Sequence, residues 1–525
     1  MTGPALQGPM PTGERWKPVR DNNNEGAQLL RAGQIARSAE LFEQAIALTR
    51  VADVDAEGLD LRCRALTNLA AARELSGDLG GAIAGIEEAI GTGLRVLAEI
   101  GDRRGTRSAV LNGHLSRAQT LILLGRLDEA LESADRAAAL ISGDDGDLLR
   151  FSLHNVRCGI FLEAGRLPEA EQEGERALEV ALASHPELSA SVYPNLAGIA
   201  QLTGDDATAQ DYLALAEQIN QLAGDATSRQ LAVENLARTS LQAGRLEEAR
   251  RGFETAEALA VEAGLPTRAA ASRCGIAAVR LHSGCPEEAA GALREAITQF
   301  PAGGAHVERL QAWGLLGDAE SVRMNFDAAE DAYTSAREHA LTAQDRCRVD
   351  VRRAEMHAER AAASPDDRAA LLARALDLAV TAHLTTEALR ETFPPGPTRE
   401  RWVGSVAAPA RELAFRLAAA LRDTRLLLAL TENASAAVTF RSPAATAISP
   451  WATEIQPTVP TGSGIELPAA ASGLLTGATR IPVRFQPPPR VLSCPGADVL
   501  LSEWIDRAEQ RYGIRVRSEE VVAGW

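Results

Sequence analysis

"NLARTSLQAGRLEEARRGFETA", Asn235 to Ala256, decides how the rest of this 525-residue chain is read. Forty residues upstream, "NLAGIAQLTGDDATAQDYLALA" (Asn195 to Ala216) has the same skeleton: it begins Asn-Leu-Ala, passes a Gly and closes on Ala. Neither stretch holds a His, a Cys or a phosphate loop. What repeats is packing information, so the unit is structural before it is chemical.

Working outward, the turn glycines fall at Gly33, Gly77, Gly125, Gly165, Gly204, Gly244 and Gly284, spaced 44, 48, 40, 39, 40 and 40 residues apart. Another 40 residues on, Met324 takes the same place. Twelve positions after the turn stand Ala45, Ala89, Ala137, Ala177, Ala216, Ala256, Ala296 and Ala336. Five after it stand Ser38, Ala82, Ala130, Ala170, Ala209, Ala249, Ala289 and Ala329; seven before it every residue is Gly, Ala or Cys. The column nine after the turn is mostly bulky (Phe42, Ile86, Leu213, Phe253, Leu293, Tyr333), with Ala134 and Gly174 as exceptions. Small residues at fixed helical offsets let two helix backbones approach, and a Gly between them suits a left-handed C-cap. Each unit is a helix–turn–helix that cannot bury its apolar face alone, so stacking must supply the core.

These columns resemble the tetratricopeptide repeat (TPR), in a form longer than its usual period of about 34 residues. The resemblance covers residues 21–390 and predicts an all-α, right-handed α-solenoid of about nine to ten hairpins. A ninth unit is expected over Cys347–Val380, its turn expanded around Ser364-Pro365-Asp366. Residues 1–20 read as a flexible N-terminal tail. Residues 391–440 read as a terminal helix pair, entered through the Pro-rich "FPPGPTRERW". Residues 441–498 read as a Pro-rich linker. In residues 499–525 a short helix and strand return, with Leu500, Leu501, Trp504, Ile505, Ala508 and Tyr512 on its apolar side and "IRVRSEEVV" as the strand.

Nine residues before the turn, Asn24, Asn68, Asn195 and Asn235 occupy one column, with Asn155 one residue out of it. In TPR proteins the first helix of each unit lines the concave groove. The resemblance therefore implies a ladder of side-chain amides, each able to donate and accept to one peptide unit of an extended ligand. Arg64 and Arg238 would add charge to that groove. The helical region from "RERWVGSVAAPARELAFRLAAAL" also resembles the TPR end of bacterial CHAT-domain (caspase-like) proteins, but no peptidase domain follows it. This suggests a companion of such an effector, with Leu500, Trp504, Ile505 and Tyr512 as a docking tail.

Composition narrows the function. The net charge is −17, which disfavours non-specific nucleic-acid binding because that needs clustered cations. Lys17 is the only lysine among 54 basic residues, and no run of Lys or Arg stands out. The six cysteines form no CxxC, so neither a zinc site nor a disulfide framework is expected, and a reducing cytoplasm fits. The first residues have no signal-peptide core, and no apolar stretch reaches the roughly 20 residues that span a membrane. None of the eight histidines stands at HExxH spacing, and no GxSxG or GxxxxGK[ST] occurs. Cys494 has no histidine after His383 to serve it as a base. No catalysis, no metal and no cofactor are expected. The expectation is a cytoplasmic adaptor that binds a protein or extended peptide in its groove. The alternative is a ligand-sensing regulator of a separate effector, such as a caspase-like peptidase or a transcription factor; a pocket of convergent arginines would favour it.

Overall fold

The computed structural model describes residues 14–31, 34–142, 146–223, 226–301, 304–393, 397–438, 487–492, 499–519 and 521–523. Helices pair in chain order: α1 (Lys17–Arg31) with α2 (Ile35–Thr49), α3 (Ala56–Ser76) with α4 (Leu79–Ile100), α5 (Thr106–Leu123) with α6 (Leu127–Leu140). Then come α7 (Asp147–Glu163) with α8 (Leu167–Ser184), α9 (Ser189–Leu202) with α10 (Asp206–Ala223), and α11 (Ala226–Gln242) with α12 (Leu246–Glu262). α13 (Pro266–His282) pairs with α14 (Pro286–Thr298), α15 (His306–Val322) with α16 (Phe326–His339), and α17 (Ala343–Ala363) with α18 (Arg368–Arg390). α1 starts at Lys17 and buries Trp16, so order begins before the boundary expected at residue 20. The chain is an α-solenoid of these hairpins.

The turn column behaves as its residues dictate. Gly77, Gly125, Gly165, Gly204, Gly244 and Gly284 all have φ between +69° and +88°, and Met324 takes the same conformation at +61° despite its Cβ. Gly33 lies outside the described residues. From Gly77 onward each turn of this column closes a paired cap: Gly125 N–H donates to Ile122 O and Arg126 N–H to Leu121 O, both at 2.9 Å. Met324 and Asn325 repeat this on Ser321 and Glu320, so the cap geometry, rather than glycine itself, defines the turn.

The Ala columns are the seam inside each hairpin. All eight residues twelve after the turn, and all eight five after it, are buried to within 1 %. Size is exchanged across the seam. A Cβ on Gly26 would lie 2.7 Å from Phe42, and one on Gly317 2.5 Å from Tyr333. Where the bulky column is Gly174, Leu196 of the next hairpin fills the space, 2.7 Å from the position a Cβ would take.

Odd-numbered helices from α1 to α17 each also touch the next odd-numbered helix, while the even-numbered helices α2 to α16 make no comparable contact with one another. The odd helices therefore form the inner, concave side. The coil also closes on itself. Leu265, between α12 and α13, packs in one cluster with Ile35 and Leu75 at the first turns. A Cβ on Gly304 would meet Leu79, and one on Gly125 would meet Leu341 at 2.7 Å. After α18 come α19 (Pro397–Trp402), a π-helical turn at Val403–Ala407, α20 (Ala408–Ala420) and α21 (Thr424–Val438). Trp402 is fully buried with Phe393 and Val406 against Leu167, and Leu162 and Leu202 pack on the same cluster. The segment around Trp402 thus clasps the middle of the array.

Most of the expected linker lies outside the described residues, as does Cys494. Within its described residues, β1 (Arg490–Leu492) runs parallel to β2 (Val521–Ala523), Arg490 facing Val521. The strand expected from Ile514 begins only at Val521. Between β1 and β2 stands α22 (Ser502–Tyr512), which lies against α17 and α18.

Candidate functional site

The inner face of the odd helices is the surface on which a ligand of the array would lie. Of the amides expected to bracket a ligand there, two make bonds within the protein. Asn68 Nδ2 donates to Asn23 Oδ1 at 3.0 Å, both side chains buried, and Asn195 Nδ2 donates to Asn155 Oδ1 at 3.0 Å. Each bond runs from one hairpin to the preceding one, so these amides stitch hairpins together instead of bracketing a ligand. Asn24 is exposed and its neighbour Asn23 takes the ladder place. The pairing needs an Asn ten residues before one turn and another nine before the next. Asn23 and Asn155 satisfy the first condition, and a second column at that offset would have revealed them. For Asn235 the corresponding residue is Pro194, whose ring offers no such acceptor. The link there is Gln201 Nε2 to Thr239 Oγ1, 3.1 Å, and Asn235 is left half-buried.

Arg64 is not a groove charge. Its side chain is 4 % exposed, pairs with Asp60 at 3.0 Å and donates to the carbonyls of Arg104 and Gly105, which fixes the start of α5. A guanidinium withdrawn from water needs those acceptors, and here they are structural. Arg238 does stand on the inner face. It bonds Glu234 at 2.9 Å and reaches from α11 past α13 to Gln311 on α15, 3.1 Å away.

The inner face also carries residues that no motif marked. Glu163 at the end of α7 faces Asp345 and Glu308, at the starts of α17 and α15; burial, then these two negative charges, raise its carboxyl to about 7. Glu355 is raised for the same first reason, with Glu359 and Asp318 adding to it and Arg416 and Arg352 opposing. Asp318 accepts from Arg352 Nε at 2.8 Å and from Tyr333 at 2.7 Å. Glu163, Glu308 and Asp345 come from positions 37 to 182 residues apart and meet only because the coil closes, which is why the sequence did not disclose them.

The tail is corrected too. Ile505, Ala508 and Tyr512 are fully buried on the array's own end, and Leu500 and Trp504 pack half-buried beside them. Tyr512 and its neighbours are therefore engaged within the chain, not presented to a partner.

Burial pushes the thiols of Cys63, Cys158 and Cys274 up to about 12. No described group of three or more His, Cys, Asp or Glu could hold a metal ion, and no described helix is long and apolar enough to cross a membrane.

No protein-family model matches the chain, and none of the curated proteins matches it. Solved structures do. The chain is similar to a Rap protein complexed with competence and sporulation factor, at 13% identity over 70% of this chain and 99% of that one, with a TM-score of 0.50. It is also similar to the apo form of the quorum sensor NprR from B. thuringiensis (13% identity, 61% and 98% covered, TM-score 0.39). A third is a tetratricopeptide repeat protein from Parabacteroides merdae (15% identity, 58% and 99% covered, TM-score 0.33). These neighbours are TPR-type proteins, and the likeness to the first shows the TPR-type solenoid fold. The resemblance to CHAT-associated arrays finds no support among them.

Proposed function

We propose that this TPR-type solenoid is a non-catalytic, cytoplasmic adaptor that takes a protein segment or extended peptide along its inner face. The observation that carries the reading is the closing of the coil where the turn at Gly165 meets Thr342, 3.5 Å from the position a Cβ would take, which sets Glu163 in the field of Asp345 and Glu308. The inner surface they share stays wet: Glu308 is 22 % exposed, Arg238 32 % and Arg352 33 %. Carboxylates among them, Glu308 held 3.7 Å from Arg268, suit a segment bearing Arg or Lys, and complementary charge gives specificity and speed of association. Because Asn68 and Asn195 are already paired, recognition rests on these side chains more than on an amide ladder.

A second reading, a ligand-sensing regulator of a separate effector such as a peptidase or transcription factor, is favoured by the likeness to a Rap protein solved with its factor. In both readings the inner face is the receiving surface.

The test is affinity capture from the native cell with mass spectrometry. The wild-type chain is compared with a Glu163→Lys, Glu308→Lys, Asp345→Lys variant and with a charge reversal at the exposed outer residue Glu248. The groove variant should lose the partner while keeping its helical circular dichroism, and Glu248→Lys should keep it. Equal retention by the groove variant rejects the groove as the site.

A further inference from the structure

Where α22 rests on the end of the array it leaves a cavity of about 560 Å³. Five guanidiniums line it: Arg337 from α16, Arg353 from α17, Arg374 from α18, and Arg507 and Arg511 from α22. In a chain of net charge −17 this is a local reversal of sign.

The carboxylates around it do not balance the arginines. Glu330 is shared by Arg353 and Arg374, Asp350 by Arg337 and Arg353, and Asp377 by Arg507 and Arg511. Three acids serve five cations. Glu503 also pairs with Arg507, but it is 83 % exposed and its charge is screened by water. A guanidinium has five N–H donors, so each shared pairing leaves donors directed elsewhere.

The floor is pre-set and the rim is open. Asp350 is fully buried; it accepts from Tyr512 at 2.9 Å and holds Arg337 at 3.1 Å. Arg511 bonds Thr381 at 2.8 Å, and Arg337 reaches the Arg511 carbonyl at 2.9 Å. Arg353 is 14 % exposed, whereas Arg507 and Arg374 at the mouth are 47 % and 58 % exposed. Shielded inner forks and exposed outer ones suit an anion that enters from solvent. Arginine's planar fork matches phosphate oxygens two at a time.

Size and lining define the ligand further. The volume lies in the range of small-molecule sites, roughly 300–1,000 Å³, and exceeds what one phosphate fills. Leu378 is the single apolar residue in the lining, so the site does not suit a ligand with a large apolar body. We propose that the seam between α22 and the array binds a small polyanion carrying at least two phosphate groups. The array and α22 supply its donors jointly, so the ligand holds α22 in place. By linkage, anything that binds only the docked form stabilises that form. The site is separate from the inner face, and its test does not depend on the adaptor reading.

The probe is inorganic pyrophosphate, titrated calorimetrically into the full-length protein at 150 mM salt, with orthophosphate and citrate run in parallel. Saturable one-to-one binding of pyrophosphate is expected, at least tenfold tighter than either control. Hydrogen exchange of residues 502–512 should slow when it binds. The rim variant Arg374→Gln, Arg507→Gln should weaken it at least tenfold with unchanged circular dichroism, and Arg250→Gln on the exposed face of α12 should not. No saturable binding, or equal binding by the rim variant, overturns the site. Citrate binding as tightly as pyrophosphate overturns its assignment to phosphate.

Discussion

The Tyr512 hydroxyl donates to Asp350 Oδ2 at 2.9 Å across 162 residues of chain, and both side chains are fully buried. Asp350 also holds Arg337 and Arg353, so the bond joins the tail to an ion network already anchored in α16 and α17. Tyr512→Phe removes one donor to a buried carboxylate, which costs about 1–3 kcal/mol. The loss should appear at the seam. Amide exchange in residues 502–512 should accelerate, while exchange in α3 to α12 stays as in wild type.

The Asn column is interrupted at Gly275 for a steric reason: a Cβ there would sit 2.4 Å from the ring of Phe253. Gly275→Asn restores the column yet overfills the seam. It should destabilise by roughly 1–3 kcal/mol, the usual cost of overpacking. Adding Phe253→Leu should recover part of that loss in thermal denaturation, since the two changes act on one contact.

Trp402 closes the coil. It is fully exposed to no solvent, and its indole donates to Gln344 at 3.2 Å. Trp402→Ala should cost about 3–5 kcal/mol, the range for emptying an aromatic site. Solution X-ray scattering should report a larger radius of gyration with helix content retained, because the hairpins keep their own seams. An unchanged radius would show that the other inter-turn contacts suffice.

Two groups shielded from water, His383 fully and Glu163 in part, give opposite pH dependence. His383 is fully buried and neither ring nitrogen has a hydrogen-bond partner among the described residues. Burial, with Arg517, Arg411 and Arg390 opposing its charged form and Glu387 favouring it, lowers it to about 4. Between pH 6.5 and 4 the unfolded state binds the proton first, so stability falls as pH falls, by up to about 3 kcal/mol. Glu163 is raised to about 7, so its folded form binds the proton first and stability falls as pH rises from 4.5 through 7. Glu163→Gln should therefore stabilise at pH 8 by about 1–2 kcal/mol and change little at pH 4, whereas His383→Leu should flatten the acid limb. Melting temperature against pH for the three proteins separates the two effects.

Much of the fold was legible because its signals are local and periodic. The turn column marks the described hairpin corners from Gly77 to Met324, the last of them by spacing alone. The Ala columns were read as close-approach positions, and they are the buried seam. The site was less legible. Asn68 and Asn195 stand in one column, but their partners Asn23 and Asn155 stand one residue off it, so the column alone does not show the bonds between hairpins. Arg64 looked like a groove charge because a sequence shows the cation and not the two backbone carbonyls that receive it.

By itself the sequence determined the repeat, its turn and the small-residue seam, since each depends on side-chain size at a fixed helical offset within about 40 residues. Only the tertiary structure decided that the coil closes through Trp402, that α22 folds back onto Asp350, that Glu163 meets Asp345, and that five arginines gather round one cavity. Those contacts join residues 130 to more than 200 positions apart. They arise from the accumulated rotation of one hairpin on the next, a quantity to which every seam contributes a little and no single motif records.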